Sequence, residues 1–100
     1  MPKLYVTEFS QLGFTNVGGG TPQVRVPHTT TQVVAIGASS AASAAFQAKT
    51  VVVRLAADSV CSFVFGTTPV ATANDSRMDV GRPEYFFVDP SLKVACITNT

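Results

Sequence analysis

From Thr50 to Thr100 the chain alternates short runs of β-branched and aromatic residues with clusters of Gly, Pro, Asn and Asp. Val51-Val52-Val53-Arg54-Leu55 is one such run, and Val60-Cys61-Ser62-Phe63-Val64-Phe65, stopped by Gly66-Thr67-Thr68-Pro69, is the next. Glu84-Tyr85-Phe86-Phe87-Val88 ends at Asp89-Pro90-Ser91, and Lys93-Val94-Ala95-Cys96-Ile97-Thr98 follows. Stiff, branched side chains suit a pleated surface, and the intervening residues supply turns. Strand starts spaced by about ten residues predict an all-β sandwich or barrel rather than a helical or α/β domain.

The first half is less regular. Leu4 to Phe9 alternates weakly, and Leu12 to Thr21 contains Gly13 and the run Gly18-Gly19-Gly20, which specifies no backbone conformation. Residues 1–21 therefore read as an extended arm and glycine-rich linker, and 22–100 as the β domain. Gln23-Val24-Arg25-Val26 lies between Pro22 and Pro27, so it reads as an edge strand, because proline cannot donate to a ladder. Gln32 to Ile36 is a good strand stopped by Gly37. Ala38 to Ala48 has only one large side chain, Phe46, and reads as a loop with a short strand at Ala44 to Gln47, or else one helical turn. Met78-Asp79-Val80 is a further short strand. About eight short antiparallel strands fit a small jelly-roll-like sandwich.

Alternation assigns faces. Val51, Val53 and Leu55 share one side of their run; Cys61, Phe63 and Phe65 share one side of theirs. In the run at Glu84, Tyr85 and Phe87 oppose Phe86 and Val88, so both faces are apolar and one of them needs cover from outside the core. Composition points the same way. Only 13% of residues are charged, about half the usual share, which suits a surface covered by a partner or a second copy, or else one made of Thr, Ser, Ala and Asn.

Several chemistries find no support. A net charge of +1 with scattered cations does not make a phosphate-binding stripe, so nucleic acid is not an expected partner. No apolar run reaches the roughly 18 residues of a membrane span, and the first residues lack the apolar stretch of a signal peptide. Use without secretion is the expectation. His28 is the single imidazole, Cys61 and Cys96 lack metal-ligand spacing, and no cofactor fingerprint is present. The two cysteines read as buried hydrophobes, able to form a disulfide only if their strands are neighbours. Asp75 and Asp79 are a carboxylate pair in a turn region, better read as solvated than as a calcium or acid–base site. No catalytic, cofactor-binding or metal residue is expected.

Residues 53–73 (VRLAADSVCSFVFGTTPVATA), then GRPEYFFV at 81–88 and KVACI at 93–97, resemble small structural proteins of tailed bacteriophages, and the opening MPKLYVTEF is similar to the start of such proteins. The resemblance implies a capsid decoration, or cement, protein: made in the host bacterial cytoplasm, found on the virion capsid surface, binding the major capsid protein and itself as a homodimer or homotrimer. Contacts are then expected from Leu4, Tyr5, Val6 and Phe9 of the arm and from Arg82, Tyr85 and Phe86 near the two-faced strand. A tail or fibre accessory module of receptor-side type, carbohydrate-binding included, is the alternative, although sugar sites favour Trp and the chain has none.

Overall fold

The computed structural model describes residues 2–10, 12–14, 20–24 and 30–99. Within them lie ten strands and no helix: β1 (Lys3–Phe9), β2 (Leu12–Phe14), β3 (Gly20–Val24), β4 (Thr30–Ala35), β5 (Ala41–Ala42), β6 (Val52–Ala57), β7 (Cys61–Gly66), β8 (Ser76–Met78), β9 (Glu84–Phe87) and β10 (Lys93–Thr98). Two four-stranded antiparallel sheets, ordered β4-β1-β6-β9 and β5-β10-β7-β8, form the sandwich, and among the described residues β2 and β3 pair only with each other. With that hairpin set aside, the order is that of a jelly roll whose last strand has been moved to the front of the chain: β1 fills the slot that a C-terminal strand would otherwise take.

The all-β sandwich expected from the sequence is thus present, but residues 3–9 are not an arm. β1 is an inner strand, paired from Lys3 to Glu8 with Ala35 to Thr30 and from Leu4 to Phe9 with Ala57 to Val52. Its ladder puts Leu4 and Val6 in the core with no exposed surface. Burial of two aliphatic side chains is worth about 2 kcal/mol each, which outweighs whatever freedom the following glycines allow. Part of the expected linker, Leu12 to Thr21, is strand as well: Leu12 opposes Val24 and Phe14 opposes Gly20, with a register shift between them. Residues 15–19, and the 25–26 end of the expected edge strand, lie outside the described residues.

Both inner faces supply the core. Leu4, Val6, Val34, Val53 and Leu55 come from one sheet; Cys61, Phe63, Met78, Val94 and Cys96 come from the other. This is the side assigned by alternation to Val53, Leu55, Cys61 and Phe63. Phe63, Phe65 and Phe86 stack across the sheets at ring-centroid distances of 5.2–6.0 Å, the range favoured by edge-on and tilted aromatic pairs.

The stretch after β4 departs from expectation in place. Its strand pairing is at Ala41–Ala42, against Cys96 and Ala95, not at Ala44 to Gln47. Ser43 explains the early stop. Its hydroxyl accepts the Val94 N–H at 3.0 Å and donates to the Ala44 carbonyl at 2.9 Å. The Ser43 N–H still donates to the Val94 carbonyl at 2.8 Å, so the hydroxyl takes the place of the Ser43 carbonyl alone as the acceptor for Val94. Near β9 the turn at Gly81 has φ +76°, a left-handed conformation that glycine adopts without strain.

Cys61 and Cys96 are free, fully buried thiols on neighbouring strands. Cys61 opposes Thr98 while Cys96 opposes Phe63. This diagonal offset of about 7–8 Å exceeds the reach of a disulfide. Burial, with a smaller contribution from Cys61, pushes the Cys96 thiol up to about 11, and burial raises Cys61 as well. Because the folded value lies above the ordinary value of about 9, the stability linked to the neutral thiol is complete below pH 9 and is lost as pH rises towards 11. For Cys96 that loss is about 2–3 kcal/mol. Cys96→Ala is expected to flatten the urea-midpoint profile between pH 8.5 and 10.5, while an equally steep profile contradicts this assignment.

Candidate docking surface

The outer faces of the two sheets differ. On the β5-β10-β7-β8 sheet, the chain after β7 folds back as cover. Ser62 and Ala95 have outward parity yet no exposed surface, and Ala71 in this segment is buried. The Ser62 hydroxyl accepts from Asn99 Nδ2 at 2.7 Å and donates to the Ala73 carbonyl at 3.4 Å, and the Ala71 N–H donates to Ser40 Oγ at 2.8 Å.

On the β4-β1-β6-β9 sheet part of the outer face is exposed. Cross-strand register arranges it in rows. Val33, Tyr5 and Ala56 form one; Thr31, Thr7, Arg54 and Tyr85 the next; Phe9, Val52 and Phe87 the third. Val33 is 53% exposed, Tyr85 47% and Phe87 76%. Such large apolar groups rarely stand together in water on a protein without a partner. Alternation brings Lys3 and Arg54 to this face and no Asp or Glu. Aromatic residues, Arg and a lack of carboxylates are the composition of an interface core. Phe9 and Val52, in the same outer row as Phe87, are buried, although neither belongs to the core cluster.

The expected contact residues separate on this evidence. Leu4 and Val6 are core residues and Phe9 is buried, so these three do not present their side chains on the outer face, and Phe86, half-buried, points inward against Phe63 and Phe65 rather than to that face. Tyr5, Arg82 and Tyr85 are exposed, and Tyr5 and Tyr85 stand on the same outer face. Val33, Arg54 and Phe87 belong with them and are not marked out by sequence. For Phe87 the signal was the two-sided apolar run at Glu84, which shows that one face is uncovered without showing which.

Other polar groups have structural partners. Asp75 Oδ2 accepts from the Thr72 N–H at 2.7 Å and the Thr72 hydroxyl at 3.3 Å, closing a turn. Asp79 pairs with Arg77 at 3.6 Å. No group of three or more His, Cys, Asp or Glu side chains among the described residues is placed to hold a metal ion, and His28 lies outside them. One carboxyl group is fully buried. Glu8 accepts from Gln32 Nε2 at 2.9 Å, the Gln47 N–H at 2.9 Å and the Thr50 hydroxyl at 2.7 Å. These bonds tie β4, β1 and the loop before β6 together.

No protein family, curated protein or solved structure matches the chain.

Proposed function

We propose that this chain is a structural protein of a tailed-phage particle, a cement protein that docks on the capsid shell through the outer face of its β4-β1-β6-β9 sheet. The observation that carries the proposal is the group of exposed large side chains Tyr5, Val33, Tyr85 and Phe87 around Arg54 on one outer face. The phage assignment rests on the resemblance of residues 53–73, 81–88 and 93–97 to such proteins. The mechanism is mass action: a protein that binds only the expanded shell stabilises that shell. Docking as a homodimer or homotrimer lets individually modest contacts add through effective concentration. The cations Lys3 and Arg54 favour a shell surface that offers carboxylates to them. The reading assigns no catalytic step.

Co-sedimentation with purified expanded capsids tests it. The wild-type protein is expected to pellet with capsids and to leave the unexpanded shell unoccupied. Tyr85→Ser combined with Phe87→Ser is expected to weaken binding by roughly a hundredfold or more, since a buried aromatic anchor is worth about 2 kcal/mol. Wild-type protein that stays in the supernatant with expanded capsids rules the proposal out.

A further inference from the structure

The two lateral edges of the sandwich are built differently. At the β4/β5 edge the sheets are stitched: the Gln32 side chain accepts the Ala44 N–H at 2.8 Å and donates to the Ala44 carbonyl at 3.2 Å and to Glu8. At the other edge, β8 and β9 face one another without such a bridge among the described residues, and a cleft of about 310 Å³ opens between them. Its walls include Phe63, Phe65 and Phe86, and its mouth includes Asp75, Arg77 and Glu84. The volume is at the lower end of the range of ligand sites, enough for one or two side chains.

We propose that the free edge of β9 takes up an extended, basic segment of a partner protein as an added strand, with one apolar side chain of that segment seated in the cleft. This goes beyond docking of the outer face and uses different residues. Among the described residues β9 pairs with β6 alone, from Glu84 opposite Leu55 to Phe87 opposite Val52, so the N–H and C=O groups along its other side face outward as a template for pairing. Period-two alternation then couples the edge to the cleft. Glu84 and Phe86 share the inward face with Leu55 and Val53, so alternate side chains of an added strand point towards the space beside Phe86. Pro83 and Pro90 flank β9 and restrict the pairing to a short segment.

Charge selects the occupant. Arg77 is offset by Asp79 at 3.6 Å, which leaves Asp75 and Glu84 to give the mouth a negative balance. A lysine or arginine beside the apolar anchor meets that charge, while an acidic neighbour is repelled. The partly buried rings of Phe65 and Phe86 gain from an apolar side chain that displaces water from beside them.

The test uses the full-length protein, labelled with 15N, and two synthetic peptides: acetyl-Lys-Thr-Leu-Thr-Lys-amide and its counterpart with Glu at both ends. The basic peptide is expected to shift the amides of Glu84 to Phe87, to protect from exchange those of Tyr85 and Phe87, whose N–H groups face the free edge, and to move the ring signals of Phe63, Phe65 and Phe86. The acidic peptide is expected to bind roughly tenfold or more weakly. Glu84→Lys, a change at an exposed side chain, should reverse that preference without altering the circular dichroism spectrum. Equal binding of the two peptides overturns the proposal, as does the absence of shifts at β9. Shifts confined to Tyr5, Val33 and their neighbours overturn it too, since they place the contact on the outer face.

Discussion

Deletion of residues 1–10 is expected to abolish the fold. β1 is hydrogen-bonded on both sides, and Leu4 and Val6 are among the core side chains with no exposed surface. Its removal also strips acceptors from beyond the ladders: the Ile36 N–H donates to the Pro2 carbonyl, Asp58 N–H to Lys3 and Val51 N–H to Phe9, each at 3.0 Å. The gap does not close by itself. β4 and β6 each run antiparallel to β1, so they are parallel to one another and would have to form a new type of ladder. Two aliphatic side chains, about a dozen paired residues and a buried polar network together exceed the 5–15 kcal/mol by which domains are stable. The truncated chain should show no cooperative thermal transition by circular dichroism. A sharp transition near that of the full chain contradicts the topology, and would restore the reading of this segment as an arm.

The second large effect is at Glu8. Its carboxyl group has no exposed surface and no cation partner among the described residues; three hydrogen bonds from Gln32, Gln47 and Thr50 satisfy it. Glu8→Ala leaves those donors without their acceptor and opens a space beside the core. The buried Thr50 hydroxyl left unpaired costs about 1–3 kcal/mol and the partly buried Gln32 and Gln47 donors less, so with the space left behind the total expected loss is about 3–5 kcal/mol. Glu8→Gln separates hydrogen bonding from packing. Its carbonyl oxygen can serve Gln47 and Thr50, but its amide group then meets the Gln32 amide. Gln32 cannot simply rotate, because its own oxygen holds the Ala44 N–H. A loss of about 1–3 kcal/mol is expected. Urea midpoints at unchanged slope measure both. Two variants as stable as the wild type would show that the network contributes nothing.

Most of Thr50 to Thr100 was legible because its strands are local statements, although the short strand expected at Met78-Asp79-Val80 lies at Ser76–Met78 instead. Lys93 to Thr98 is strand over the very residues that its β-branched run marks, and the Glu84 run ends one residue before its expected limit, at Phe87. The Ala-rich stretch was harder, because Ser43 diverts the ladder through its hydroxyl and no pattern announces such a bond. β1 was misplaced for a related reason. Its inward positions are Leu4, Val6 and Glu8, and a glutamate in the third position weakens the alternation that signals a half-buried strand. The groups that make this glutamate acceptable lie 24, 39 and 42 residues away. At the docking face, Tyr85 and the two-sided character of its strand were readable. The choice between Phe86 and Phe87 was not, because it depends on how β9 registers against β6.

Hydroxyl-radical footprinting of the free and capsid-bound protein, read by mass spectrometry, tests the docking face most directly. Tyr5, Val33, Tyr85 and Phe87 are expected to lose reactivity on binding. Val70 and Val80, exposed at 72% and 53% and outside the strands of that sheet, are expected to keep theirs. The opposite pattern, with Tyr85 and Phe87 as reactive on the capsid as in solution while Val70 or Val80 becomes protected, would contradict docking through the β4-β1-β6-β9 sheet.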